Sequence, residues 1–171
     1  LVGSEMCIRD RIFGLEGDDL LLGNGGDDDL MGSAGRDTMS GGAGNDRLRG
    51  QGGSGDVLIG GLGDDILDGG AGNDRLVETG DVDFTLTDTT LTGLGTDTII
   101  STEFATLNGG ASGNVLDSSG TTTISATLNG LGGADTITGG TPAELITGGD
   151  GDDVINAGGG DDTIDGGSGD D

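Results

Sequence analysis

A chain of 171 residues with 42 Gly, three Phe and no Trp, Tyr or His is too poor in large side chains for a wide apolar core, since each such side chain contributes roughly 1.5–3 kcal/mol when buried. Its 32 acidic residues face six Arg, a net charge of −26, which excludes nucleic acid and anionic lipid as partners because both require clustered Lys or Arg. Glycine does not recur at every third residue, so a collagen-like triple helix is excluded as well.

Composition alone describes a disordered acidic chain; the spacing of its acids is what can reverse that. Cys7 is the single cysteine, so there is neither an internal disulfide framework nor a CxxC motif. No stretch has the length of a membrane-spanning helix, and residues 1–13 lack the apolar region and cleavage site of a signal peptide. Leu1 to Arg11 shares no pattern with the rest of the chain and looks like translated adapter sequence, so 1–13 is expected to be a non-native or disordered leader. The chain opens without Met and stops at Asp171 within a repeat, which is the expectation for a fragment.

From Gly14 the sequence falls into blocks of nine: GLEGDDLLL (14–22), GNGGDDDLM (23–31), GSAGRDTMS (32–40) and GGAGNDRLR (41–49). After an extra Gly50 come QGGSGDVLI (51–59), GGLGDDILD (60–68) and GGAGNDRLV (69–77). Residues 78–129 change character, with less Gly, more Thr and alternating stretches such as Asp83–Thr87. TGLGTDTII (92–100) and GGASGNVLD (109–117) keep a faint form of the pattern. This segment is expected to continue the coil with few or no metal sites, with Phe84 and Phe104 in its core; a small β-sandwich-like insert is the alternative. The blocks return as GLGGADTIT (130–138), GGTPAELIT (139–147), GGDGDDVIN (148–156) and AGGGDDTID (157–165), then GGSGDD (166–171).

Aligned, the eleven full blocks read G-G-x-G-x-D-x-U-x, where U is a large aliphatic residue. Positions one to six are turn chemistry, with Gly supplying positive φ and Asp, Asn or Gly at position five tolerating the left-handed region. The last three positions predict a short strand with one inward residue: Leu21, Leu30, Met39, Leu48, Leu58, Leu67, Leu76, Ile137, Ile146, Ile155 and Ile164. Such strands are too short for hairpins but can wind as a coil, with two strands and two turns every eighteen residues. The fold class expected is therefore all-β: a parallel β-roll, a right-handed β-helix solenoid.

In that coil, position six of one repeat lies beneath position six two repeats on, about 4.7–4.9 Å away. One face then carries Asp19, Asp37, Asp56 and Asp74, and the other Asp28, Asp46 and Asp65. In the second block Asp135, Asp153 and Asp171 share a face, opposite Glu144 and Asp162. Two carboxylates at that spacing repel by roughly 1–3 kcal/mol, and a divalent cation between them converts repulsion into attraction. The donors available are oxygens, from carboxylates and open Gly-rich turns, which suit Ca2+ rather than Mg2+ and leave Zn2+ or Cu2+ without His or Cys ligands. The alternative for any one Asp is an Asx-turn former. The position-five acids Asp18, Asp27, Asp64, Asp152 and Asp161 read as solvated.

The repeat resembles the calcium-binding nonapeptide of the RTX (repeats-in-toxin) proteins. The resemblance implies several calcium ions between adjacent turns, bound by the repeat Asp and turn carbonyls. Carried over residue by residue, the metal ligands are Asp19, Asp28, Asp37, Asp46, Asp56, Asp65, Asp74, Asp135, Asp153, Asp162 and Asp171. The chain departs from the family pattern at Glu144, which follows Pro142, and at the ten-residue spacing around Gly50. Also implied are a secreted or cell-surface location in a Gram-negative bacterium, the type I secretion apparatus as partner, and calcium-induced folding outside the cell. Catalysis is not expected, because a chain without His has no HExxH, Ser-His-Asp or Cys-His set and no P-loop is present. Alternatives for the whole protein are a large adhesin, or a secreted protease, lipase or toxin bearing these repeats as a C-terminal module.

Overall fold

The computed structural model describes residues 9–53 and 55–171. Cys7 and residues 1–8 of the expected leader lie outside them. In chain order the strands are β1 (Arg11–Glu16), β2 (Leu20–Gly25), β3 (Asp29–Gly35), β4 (Thr38–Ala43), β5 (Arg47–Gly53), β6 (Val57–Leu62), β7 (Ile66–Asp68) and β8 (Arg75–Thr79). The middle of the chain forms β9 (Phe84–Thr87), β10 (Thr90–Thr92), β11 (Thr96–Ile100), β12 (Phe104–Asn108) and β13 (Val115–Gly120). The last strands are β14 (Ser125–Gly132), β15 (Thr136–Thr138), β16 (Leu145–Asp150), β17 (Val154–Asn156) and β18 (Thr163–Ser168). No helix occurs among the described residues, and the fold is an all-β solenoid of parallel sheets.

Two compact units divide the chain, and the division cuts through the Thr-rich middle. One unit combines 9–77 with Leu94–Glu103; the other combines Glu78–Gly93 with Phe104–Asp171. In the first, β1, β3, β5, β7 and β11 lie side by side in one sheet and β2, β4, β6 and β8 in another. Odd and even repeats thus alternate between sheets, as an eighteen-residue coil requires. The register stacks Ile12, Leu30, Leu48, Leu67 and Ile99 in one row and Leu21, Met39, Leu58 and Leu76 in the other. These side chains are buried in a narrow interior that one aliphatic residue per repeat fills.

The second unit follows the same rule. Leu116, Ile137 and Ile155 form one row, and Leu107, Leu128, Ile146 and Ile164 the other. One antiparallel pair, β9 with β10, interrupts the parallel pattern. Phe84 is fully buried, but Phe104 is only half-buried, because Ala105 and Leu107 take the inward positions of β12. Ile155 is half-buried and Ile164 is 52 % exposed, since β17 and β18 are edge strands with one neighbour each.

Several details differ from the sequence reading. Most strands extend beyond three residues into the following turn; Asn24 pairs with Gly42, for example. Residues 9–13, expected in the leader, join the roll: Arg11–Phe13 pair with Asp29–Met31, and Ile12 is buried. The ten-residue spacing does not displace Gly50, which takes the place of a position-one glycine. Gly53 pairs with Gly35 while the Asp37 amide meets Asp56, so the additional residue is absorbed between Gly53 and Asp56.

Candidate metal centre

Most position-six carboxylates reach back along the coil axis to the turn stacked before them. Asp28 Oδ1 accepts the Asp10 amide (2.7 Å), Asp46 that of Asp28 (2.7 Å) and Asp65 that of Asp46 (2.7 Å). On the other face Asp37 accepts the Asp19 amide (2.9 Å), Asp56 that of Asp37 (2.8 Å) and Asp74 that of Asp56 (2.9 Å). In the second unit Asp153 accepts from Asp135 (2.8 Å), Asp171 from Asp153 (3.1 Å) and Asp162 from Glu144 (3.0 Å). Asp135 in turn accepts the Asn114 amide at 2.7 Å. The sequence-predicted residues thus form the vertical ladders that the nine-residue period requires.

This bond uses one oxygen of the carboxylate and leaves the other over. Oδ2 of Asp19, Asp28, Asp37, Asp46, Asp56, Asp65, Asp74, Asp135 and Asp153 is buried with no hydrogen-bond partner. Such an atom costs about 1–3 kcal/mol or more unless something meets it. The ion pairs of Arg11 and Arg49 with Asp29 lie outside the ladders and do not meet it.

The space beside the free oxygen of Asp19, Asp28, Asp37, Asp46, Asp56, Asp74, Asp135 and Asp153 is kept open by the position-one glycine. A Cβ on Gly23 would lie 2.6 Å from Asp28 Oδ2 and 2.4 Å from the Gly41 carbonyl oxygen. On Gly50 it would lie 2.4 Å from Asp56 Oδ2 and 2.2 Å from the Gly69 carbonyl, and on Gly148 2.3 Å from both Asp153 Oδ2 and the Gly166 carbonyl. Position one therefore demands Gly for space, not for backbone conformation. Positive φ falls instead at positions two and four, and position two adopts it even as Leu15 (φ 83°), Asn24 (φ 75°) and Leu131 (φ 74°). At position five only Gly55 shows it; Asp18, Asn45, Asp64 and Asn73 do not.

The position-five side chains have a different task. Asp18 Oδ1 accepts the Arg36 amide (2.8 Å), Asp27 that of Asn45 (2.9 Å), Asp64 that of Thr96 (2.9 Å) and Asp152 that of Asp170 (3.0 Å). They are exposed, yet they tie one turn to the next, and they reach forward where position six reaches back. The pairing could have been read from the same eighteen-residue offset that gives the position-six ladders.

Burial pushes several of the ladder carboxyls up. It raises Asp28, Asp37, Asp56 and Asp135, and carries Asp46 and Asp65 up to about 6. The amide hydrogen bonds oppose the rise, and the stacked carboxylates add to it. Asp97, absent from the expected ligands, is 2 % exposed, accepts the Asp65 amide at 3.0 Å and is pushed up to about 6 by the same burial. Glu144 is buried and raised to about 7, first by burial and then by Asp162 beside it. Both its oxygens lack a hydrogen bond: the Gly140 amide and the Asp162 carboxylate act on its charge without closing one. Of the predicted ligands, Asp162 is half-buried, like Asp19, and Asp171 is exposed. Ala157 occupies position one beside Asp162, where the other full repeats of this block have Gly.

Among the described residues no three acidic, His or Cys side chains converge on a point. A cation in this fold must therefore be completed by backbone carbonyls, as the Gly cradles allow. Unpartnered carboxylate oxygens next to carbonyls suit a hard, oxygen-seeking ion. Fold and site together define a parallel β-roll that presents oxygen donors between its turns. The family model described as RTX calcium-binding nonapeptide repeat (4 copies) matches residues 9–39, 22–55, 52–77, 125–141 and 143–171, more than half of the chain. The chain belongs to this family, whose repeats bind calcium. A search of curated proteins found no match.

Proposed function

We propose that the chain binds several calcium ions between stacked turns and that this binding is what folds it. The residues that would hold the ions are Asp19, Asp28, Asp37, Asp46, Asp56, Asp65, Asp74, Asp135 and Asp153 through Oδ2, with turn carbonyls completing each set. Asp162 and Asp171 extend the ladders with more open sites. A bound calcium supplies positive charge where the fold has gathered like charges. The observation that carries this reading is the row of buried Oδ2 atoms without partners, all but that of Asp65 beside a glycine that leaves it room.

Without the ion, a chain of net charge −26 is self-repelling, and the stacked carboxylates oppose each coil contact. Ligand that binds the native state alone stabilises it by mass action. A chain expanded in low calcium and folded in high calcium fits passage through a narrow type I export channel into calcium-rich surroundings, with the folded roll secreted or held at the cell surface. The test is circular dichroism in chelator and after calcium addition. A coil spectrum that becomes β-rich supports the reading; a spectrum indifferent to calcium overturns it.

A further inference from the structure

Residues 94–103 lie outside the segments that the family model matches, and Ser101–Phe104 carries no GGxGxD turn. They nevertheless close the ladder of the first unit. Glu103 Oε2 accepts the Asp74 amide at 2.9 Å, in the place where an aspartate Oδ1 serves in the other turns. The turn here is shorter than in the repeats, with Glu103 only two residues beyond Ser101. The additional methylene of Glu lets its carboxylate span the missing backbone.

The cradle of the regular turns is repeated as well. Asp74 is fully buried, its Oδ1 is engaged by the Asp56 amide, and its Oδ2 has no partner. A Cβ on Gly69 would lie 2.8 Å from that Oδ2 and 2.3 Å from the Ser101 carbonyl oxygen. In regular turns the position-one glycine of the next coil presents this carbonyl; here Ser101 does so, from a left-handed backbone at φ 48°. The Gly69 amide, donating to the Ile100 carbonyl at 3.0 Å, fixes the approach of the two segments.

We propose that calcium binds at the Asp74–Glu103 step, held by Asp74 Oδ2, the Glu103 carboxylate and the Ser101 carbonyl. The ion fastens the returning segment 94–103 onto the coil formed by 63–74. This rests on the reading of position six as a calcium ligand. It differs in needing a glutamate and a carbonyl that no nonapeptide supplies. If Glu103 only capped the Asp74 amide, Gln would serve equally, because its side-chain carbonyl accepts the same hydrogen bond.

The experiment compares the full chain with Glu103→Gln, Glu103→Asp and Asp37→Asn. Calcium bound per chain is counted by equilibrium dialysis, and amide hydrogen exchange is followed in saturating calcium. Both Glu103 variants should bind one ion fewer than the parent chain and lose protection over 94–103 by about tenfold or more, with protection over the first repeats kept. Asp37→Asn should lower the count without exposing 94–103. An unchanged count and unchanged protection in Glu103→Gln, with Asp37→Asn still losing calcium, overturns this site alone. A parent chain that takes up no calcium overturns the position-six reading and this site with it.

Discussion

Replacing Asp46 by Asn should move stability in opposite directions with and without calcium. Asp46 sits between Asp28 and Asp65 on one ladder, its Oδ1 accepting the Asp28 amide and its own amide donating to Asp65, both at 2.7 Å. At a coil spacing of about 4.8 Å, each neighbour repels it by roughly 1 kcal/mol in a watery environment and roughly 3 kcal/mol near a protein surface. Asn keeps the Oδ1 acceptor, removes the charge and turns the unpartnered oxygen into a donor facing turn carbonyls. A neutral acceptor is weaker than a charged one by about 1 kcal/mol, so, with two neighbours relieved, the metal-free fold should gain a net ~1–5 kcal/mol. In saturating calcium the same change removes one charged partner of a buried ionic set and should cost about 3–5 kcal/mol. Urea unfolding followed by circular dichroism would measure both, with the chelator arm run in trimethylamine N-oxide so that the metal-free fold is populated. Destabilisation of the same size in both arms would refute the reasoning and leave Asp46 a simple turn former.

Gly41→Ala should unfold the ladder locally, because the new Cβ would lie 2.3 Å from Asp46 Oδ2; overpacking of this kind costs about 1–3 kcal/mol. Gly25→Ala, whose nearest neighbour would be the Ala43 carbonyl at 3.7 Å, is the control and should leave the calcium midpoint unchanged. Leu131→Gly should raise thermal stability, by about 1 kcal/mol, because Leu131 holds φ 74° while 52 % exposed and so gives up little burial. Acid should partly replace calcium. The folded-state values of Asp46, Asp65 and Asp97 at about 6, and Glu144 at about 7, lie above unfolded values of about 4. Between those limits the folded chain binds more protons, so the metal-free fold gains stability as pH falls from about 7 towards 4 and loses it as pH rises again. Circular dichroism in chelator across that range should show β content growing on acidification, whereas calcium affinity measured in parallel should weaken as protons compete.

The period of nine made the roll legible because each repeat places one aliphatic residue inward and one aspartate on the ladder, and both recur at the coil spacing. Leu48 and Asp46 needed only counting. What counting missed was set by the third dimension. Glycine at position one reads like any turn glycine, and only stacking shows that its missing Cβ makes room for a carboxylate. The position-five acids look solvated because each is exposed, although Oδ1 of Asp18, Asp27, Asp64 and Asp152 bonds to a turn eighteen or more residues away. Asp97 and Glu103 escaped because residues 78–93 interpose before the coil resumes, so Asp65 meets Asp97 across thirty-two residues rather than eighteen. Phe104 was placed in the core by its size, yet the register of β12 gives the inward positions to Ala105 and Leu107.

Calcium ions should lie between stacked turns, against the free oxygens of the ladder. Crystals grown in calcium and soaked with terbium would locate them by anomalous scattering. Rows of peaks are predicted on each face, each peak beside a position-six Oδ2 and a turn carbonyl, such as between Asp28 and Asp46. Peaks confined to the exposed position-five acids, or a fully formed roll with no peaks along the ladders, would contradict it.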